Sequence, residues 1–300
     1  MNTVVHRSKR KKLTPSEGSV SPIHDGHAPI GMILLAAGKL TEIDVNRVMA
    51  AQRQKNLRFG EAAERLGLVS NEDVTQALAQ QFHYPYVTSE SRLDPSLIAA
   101  YRPFSETAEN LRELRSQLLL RWFDDHQPNT LAVVSPRRRS GCSHLAANLA
   151  IVFAQLGERT LLIDANLRRP VQHALFSLPS GVGLSNVLAG RCELGDALVR
   201  VEPFEQLKVL GAGTTPPNPQ ELLGRTTFRY LLETVPASFD VVILDTPPIL
   251  EYADAQIIAA ASGGCLVAAR RHKTRLADVQ QAKARIAPTQ ATVLGTALVG

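Results

Sequence analysis

Two aspartates close apolar runs that read as buried strands: Asp164 ends Thr160-Leu161-Leu162-Ile163-Asp164, and Asp245 ends Val241-Val242-Ile243-Leu244-Asp245. Two strand-end carboxylates converging on one loop are what a magnesium-bound triphosphate needs, directly or through water. The loop they would converge on follows Leu131–Ser135 and reads Pro136-Arg137-Arg138-Arg139-Ser140-Gly141-Cys142-Ser143. A phosphate-cradling loop wants glycines so that backbone N–H groups converge, a lysine for the outer phosphates and a Ser or Thr for the cation. Gly141 and Ser143 meet two of these demands, while Pro136, Arg139 and Cys142 stand where an opening glycine, an interior glycine and the lysine belong. Arg137 and Arg138 bring guanidinium groups, which bind phosphate well. The candidate phosphate contacts are therefore Gly141, Cys142, Ser143, Arg137 and Arg138. Ser143, Asp164 and Asp245 are the candidate cation ligands, and Asp164, Arg168 and Asp245 the candidate catalytic groups. A lone strand-end Asp is commonly a helix cap; a pair, with Arg168 after the first, is not readily explained that way.

These residues need a scaffold that brings three chain segments together. Apolar runs at 131–135, 160–165, 207–213, 241–245, 264–270 and 292–299 read as strands, with helices near 143–156, 219–234, 253–261 and 275–287. Alternation of this kind predicts an α/β domain over 131–300, a mostly parallel sheet covered on both faces. Ligands in such sheets lie at the carboxyl ends of the strands, which directs attention to 135–143, 164–169 and 245–248. Ahead of it, residues 87–105 carry Pro95 and Pro103 and read as a linker. A helix then spans about 106–123, with Glu109, Arg112 and Arg115 broadly on one face.

The first hundred residues contain a repeat. Shifted by 29, Gly31 falls on Gly60, Gly38 on Gly67, Val45 on Val74, Met49 on Leu78 and Gln52 on Gln81. Each unit reads as a short apolar helix, a glycine suited to a left-handed turn, a Thr41 or Ser70 cap, and a second amphipathic helix. Together they predict a small all-α domain over 29–86.

Composition bounds the rest. At 300 residues, 44% hydrophobic and 20% charged, the chain has ample material for two cores, which excludes a disordered or fibrous protein. No apolar run reaches a membrane span, no apolar stretch follows the basic start, and Cys142, Cys192 and Cys265 lack zinc or disulfide spacing. A reduced, cytoplasmic protein is the expectation. Of the net charge of +5, residues 1–28 hold +3, from Arg7, Lys9, Arg10, Lys11 and Lys12 against Glu17 and Asp25. That segment reads as a disordered basic tail, so the body is not expected to bind nucleic acid.

Two resemblances sharpen this reading. The 24-residue units with a five-residue spacer resemble the amino-terminal domain of type II secretion and pilus ATPases, some of which bind cyclic di-GMP. That likeness implies a nucleotide contact at Arg58 and Gly60, although Pro29 replaces the matching Arg of the first unit. The remainder resembles the bacterial tyrosine kinases of exopolysaccharide operons, of the EpsG chain-length-determinant type. The residues carrying it are the Glu-x-x-Arg-x-x-Arg helix, SHLAANLAIVFAQLGERTLLIDANLRRP, GVGLSNVLAG, GAGTTPPNPQELL, FDVVILDTPP and YADAQ. It implies a P-loop fold, ATP and Mg2+, tyrosine phosphorylation, and control of polysaccharide chain length or export with a membrane-embedded co-polymerase. It also implies oligomerisation through Glu109, Arg112 and Arg115, at the cytoplasmic face of the inner membrane. Cys142 for Lys, Asn166 for a second Asp and Val299 for an Asn near the base depart from the family pattern. Phosphotransfer is accordingly expected to be weakened or lost. The alternatives are a non-catalytic scaffold or cyclic di-GMP-responsive adaptor, and a positional ATPase of the partitioning type.

Overall fold

The structure, a computed structural model, describes residues 29–82, 84–87, 91–123, 129–179 and 181–300. The expected basic tail over 1–28 lies outside the described residues. The chain divides into two units, the first ending at Phe82 and the second beginning at His83.

In the first unit, α1 (Ile30–Ala36), α2 (Glu42–Lys55), α3 (Phe59–Arg65) and α4 (Asn71–Gln81) realise the repeat. Thr41 and Ser70 each close a capping box with the aspartate three residues on: Asp44 N–H donates to Thr41 Oγ1 and Asp73 N–H to Ser70 Oγ, both at 3.2 Å. Gly38 and Gly67 take φ of +69° and +67°, the left-handed turn that only glycine adopts without strain. The pairs interleave, α1 packing on α4 and α2 on α3 around buried Leu34, Val48, Ala62, Ala63 and Ala77. Gly60 belongs to this packing, since a Cβ there would lie 2.6 Å from Val74 Cγ1. Gly60→Ala is expected to destabilise this unit by about 1 kcal/mol, overpacking outweighing the helix-propensity gain. Thermal melts of Gly60→Ala and of Gly60→Ala with Val74→Ala test it; the second change should restore the midpoint.

The second unit starts earlier than the expected boundary at 86. The Tyr84 hydroxyl donates to Gln155 Oε1 at 2.9 Å, and Gln155 Nε2 donates to the Pro85 carbonyl, so this stretch packs on the α/β body. The short α5 (Ile98–Tyr101) leads to α6 (Glu106–Leu118), capped by Ser105, which continues as a wider π turn over Leu119–Phe123. There Trp122 is buried, and its indole N–H donates to the Thr130 carbonyl at 2.9 Å.

In chain order follow β1 (Thr130–Val134), α7 (Cys142–Gln155), β2 (Thr160–Asp164), α8 (Gln172–Leu175), α9 (Leu184–Leu188) and α10 (Leu194–Ala197). Then come β3 (Leu198–Val201), β4 (Phe204–Leu210), α11 (Pro219–Leu223), α12 (Thr226–Thr234), β5 (Val241–Asp245), α13 (Asp254–Ser262), β6 (Gly264–Arg270), α14 (Leu276–Ile286) and β7 (Thr292–Val299). Among the described residues the sheet has seven strands in the order β3-β4-β2-β5-β1-β6-β7, all neighbours parallel except β3 and β4. β1, β2 and β5 are buried along their whole length, as strands covered on both faces must be. One core, with Leu149, Phe153 and Leu162, lies between sheet and α7; the other gathers Ile163, Phe228, Leu244 and Ile258 on the opposite face. The expected fold class is therefore present, a mostly parallel sheet flanked by helices and preceded by a small helical unit. Among the described residues no helix is long and apolar enough to cross a membrane.

Candidate functional site

Because β2, β5 and β1 are adjacent and parallel, the segments leaving their carboxyl ends meet on one edge of the sheet. Asp164 and Asp245 are register partners on neighbouring strands, and both are fully buried. Their surroundings differ. Asp164 Oδ1 accepts the Asn166 N–H at 3.2 Å, while Oδ2 accepts the N–H groups of Val171 and Gln172, each at 3.0 Å. Much of its acceptor capacity thus goes to folding the loop and starting α8, the capping role a strand-end Asp commonly has. Asp245 Oδ2 accepts from Gln172 Nε2 at 2.8 Å, and Asp245 Oδ1 has no hydrogen-bond partner. Burial first, and the charge of Asp245 second, push Asp164 up to about 8. Burial likewise raises Asp245, opposed by the nearby Ser143 hydroxyl and the Gln172 amide. Two carboxylates this close and this dry do not both ionise readily without a cation.

The phosphate loop is anchored at Gly141, whose φ of +82° opens α7. A Cβ at Gly141 would collide with Val299 Cγ2, so the end of β7 closes over the loop with a valine. The first turn of α7 contains no acidic residue, leaving its backbone N–H groups and dipole uncompensated for an anion. Cys142 does not face outward. Its thiol is buried and donates to the Val133 carbonyl at 3.0 Å; burial, then the charge of Asp245, raise its pKa well above the ordinary thiol value. It supplies neither a cation nor a thiolate.

The loop arginines are committed elsewhere. Arg137 pairs with Asp278 at 3.1 Å, and Arg138 pairs with Glu251 at 2.6 Å and donates to the Tyr252 hydroxyl at 2.5 Å. Among the described residues Arg139, at φ +61°, makes no ion pair. Arg168 forms a two-point pair with the buried carboxylate of Asp254 (2.6 and 3.0 Å), its guanidinium 4.3 Å above the Tyr252 ring. Tyr252 thus joins the phosphate loop to the segment after β2. Tyr252→Phe keeps the ring under Arg168 and loses the solvent-exposed Arg138 bond, so a small loss of stability is expected. Tyr252→Ala should cost more, and urea titration of both variants would show the order.

The structure brings together Gly141, Cys142, Ser143, Asp164 and Asp245, with Arg137, Arg138 and Arg168 around them but held by carboxylates. Arg58 and Gly60 belong to the separate helical unit, where Arg58 precedes α3, its N–H donating to Glu61 Oε2. On α6, Glu109 pairs with Arg112, whose Nη1 also donates to the Pro103 carbonyl at 2.5 Å. Arg115 Nη1 donates to the Val152 carbonyl at 2.7 Å. Both arginines therefore make contacts within their own chain. The residue that sequence reasoning missed is Gln172, fully buried between the two aspartates.

Among the described residues no group of three or more His, Cys, Asp or Glu side chains is placed to hold a metal ion. The oxygens on hand are Asp245 Oδ1 and Gln172 Oε1, each without a hydrogen-bond partner, and the Ser143 hydroxyl near Asp245. That sparse set fits a hard divalent cation sharing its coordination with phosphates and water rather than one caged by protein.

No family model matches the chain. Individual proteins do. The tyrosine-protein kinase YwqD of Bacillus subtilis is 37% identical over 210 residues, 70% of this chain and 88% of that protein. The kinase domain of the Escherichia coli tyrosine kinase ETK superposes with a TM-score of 0.65 at 32% identity, over 71% of this chain and 82% of that one. The chimerical protein CapA2B2 gives a TM-score of 0.64 at 32% identity, over 74% of this chain and 97% of that one. The shared fold and identity at this level over most of YwqD lead to one conclusion: the chain belongs to the bacterial tyrosine-protein kinase family.

Proposed function

We propose that this protein is a nucleotide-binding regulator of exopolysaccharide chain length or export whose own tyrosine phosphotransfer is weak or lost. The carrying observation is Cys142. At the position where the loop needs an exposed cation, a buried neutral thiol bonds to the Val133 carbonyl, and neighbouring Arg137 and Arg138 are tied to carboxylates. In phosphoryl transfer the protein contributes mainly positioning and charge stabilisation, and one such group is worth roughly 10²–10⁵ in rate.

In this reading the Gly141 turn and the α7 N-terminus hold the phosphates of ATP, and Ser143 and Asp245 hold Mg2+ with Asp164 behind them. Bound Mg2+ would supply charge neutralisation at the outer phosphates. Arg168 is a positioning residue through Asp254 and Tyr252. The partner is a membrane-embedded polysaccharide co-polymerase, with the chain peripheral to the cytoplasmic face of the inner membrane. Self-association runs through Glu109, Arg112 and Arg115, which would exchange their present contacts for a neighbour's. The positional-ATPase alternative has no comparable family support. Cyclic di-GMP is not part of this reading, since the packing against Val74 accounts for Gly60.

The test is ATP binding and tyrosine phosphorylation by the purified chain with and without the cytoplasmic segment of its membrane partner. The expected result is measurable ATP binding and phosphotyrosine at least a hundredfold below an active relative. Vigorous phosphorylation that disappears in Asp245→Asn would overturn the weakened half of the proposal.

A further inference from the structure

Gln172 is fully buried and bonds to both aspartates, to one through its backbone and to the other through its side chain. Its backbone N–H donates to Asp164 Oδ2 at 3.0 Å, and its side-chain Nε2 donates to Asp245 Oδ2 at 2.8 Å and to the Ser143 carbonyl at 3.1 Å. The amide nitrogen is thereby used fully, which fixes which end of the amide is which: a flipped amide would set its oxygen against two acceptors. The opposite end, Oε1, is buried without a hydrogen-bond partner, as is Asp245 Oδ1.

Buried polar atoms in folded proteins are nearly always satisfied, and a buried acceptor left alone carries a substantial penalty. Here two unsatisfied oxygens belong to two side chains joined by a 2.8 Å hydrogen bond. With Asp245 ionised both are acceptors, so neither relieves the other. A donor or a cation does.

We infer that Gln172 is a ligand of the divalent-cation site in this chain, its Oε1 joining Asp245 Oδ1 around Mg2+, directly or through a bound water. An amide oxygen is an ordinary hard-cation ligand. The assignment also gives the amide nitrogen a purpose: by holding Asp245 Oδ2 and the Ser143 carbonyl, it orients the residues that would flank the ion. A carboxylate at the same position would crowd a third negative charge onto two buried aspartates when no cation is bound. The neutral amide supplies an oxygen ligand without that repulsion.

The inference rests on the proposed Mg2+–nucleotide site, and the test separates the two. ADP affinity of the full chain is measured calorimetrically in excess Mg2+ and in EDTA for wild type, Gln172→Leu, Gln172→Glu and Asp245→Asn. Melting temperature is recorded with Mg2+ alone as a second readout. Wild type should bind ADP at least tenfold more tightly with Mg2+ than with EDTA. Gln172→Leu keeps the backbone bond to Asp164 and should lose most of that ratio. Gln172→Glu should be less stable than wild type in EDTA, and Mg2+ should raise its melting temperature by more than it raises wild type's. That gain requires the ion to lie within reach of the side chain at 172, and its absence would overturn the assignment should Gln172→Leu fail to fold. A full Mg2+ effect in both Gln172 variants, with loss in Asp245→Asn, would overturn the Gln172 assignment and leave the nucleotide site standing. No Mg2+ effect in wild type would overturn the assignment along with the Mg2+ half of the functional proposal, and no ADP binding in any arm would remove the nucleotide reading itself.

Discussion

Cys142→Lys is expected to raise the affinity for ATP–Mg2+ at least tenfold and to increase tyrosine phosphorylation by two orders of magnitude or more. The parts of the loop that depend on backbone are in place: Gly141 is in its left-handed turn, and α7 opens with no acidic residue. What is missing is a mobile cation, which the ion pairs of Arg137 and Arg138 do not release without cost. Burial is the largest influence at Cys142 and opposes an ammonium there, while the charge of Asp245, second in weight, favours one. In the absence of nucleotide a lysine there would pair with Asp245 and offset its own desolvation; with nucleotide it would turn to the outer phosphates. A tenfold gain in affinity corresponds to about 1.4 kcal/mol, modest for one charge-assisted contact. Calorimetric titration with ATP–Mg2+, set beside phosphotyrosine detection, reads both effects, and Cys142→Ala controls for loss of the thiol. No gain from lysine would mean that Val299 and the Arg138–Glu251 pair hold the loop in a shape phosphate does not enter.

The sequence-legible part of this site is the part that local pattern encodes. Asp164 and Asp245 stand out because each ends five buried residues, and central parallel strands must be continuously apolar. The repeat was readable for a similar reason: Thr41 with Asp44 and Ser70 with Asp73 are capping boxes three residues long. Gln172 was invisible, because Val171-Gln172-His173 has no pattern and its side-chain partner lies 73 residues away. The same distance problem hid the pairing of Arg168 with Asp254, 86 residues on, so Arg168 read as free to face a ligand when it is held by Asp254 and Tyr252. β3 was missed because Leu198–Val201 is short, follows a helical turn and has half-exposed sides, the composition of an edge strand. The helix read as 219–234 is two, α11 and α12, parted at Gly224 and Arg225. Local chemistry set the elements, while tertiary contacts decided which charges were available.

Asp245→Asn is expected to stabilise the nucleotide-free chain by about 3 kcal/mol at pH 8, raising its melting temperature by roughly 6–12 °C, and to leave stability at pH 4 almost unchanged. Both aspartates are pushed above the ordinary carboxylate range, Asp164 to about 8, with burial the largest cause in each. An acid whose folded pKa is raised contributes stability that is fully present below its unfolded value, 3.8 here, and is lost as pH rises through the folded value. Wild type should therefore lose stability steadily between about pH 4 and 8, where the unfolded chain releases protons that the folded pair keeps. Removing one charge flattens that slope. Position 245 is the better choice for the test, because its Oδ2 alone is bonded, to Gln172 Nε2, and an asparagine oxygen keeps that bond. Its amide nitrogen then takes the place of the unpartnered Oδ1 and brings a donor to the neighbourhood of the unpartnered Gln172 Oε1. Asp164→Asn should gain less, since both Asp164 oxygens accept backbone N–H groups and one would be lost. Thermal melts of the three proteins from pH 4 to 9 in EDTA decide it. Parallel slopes for wild type and Asp245→Asn would mean that the pair is already compensated in the folded chain. The same substitution should abolish stabilisation by Mg2+–ADP, so the charge that weakens the empty fold at position 245 is expected to strengthen the loaded one.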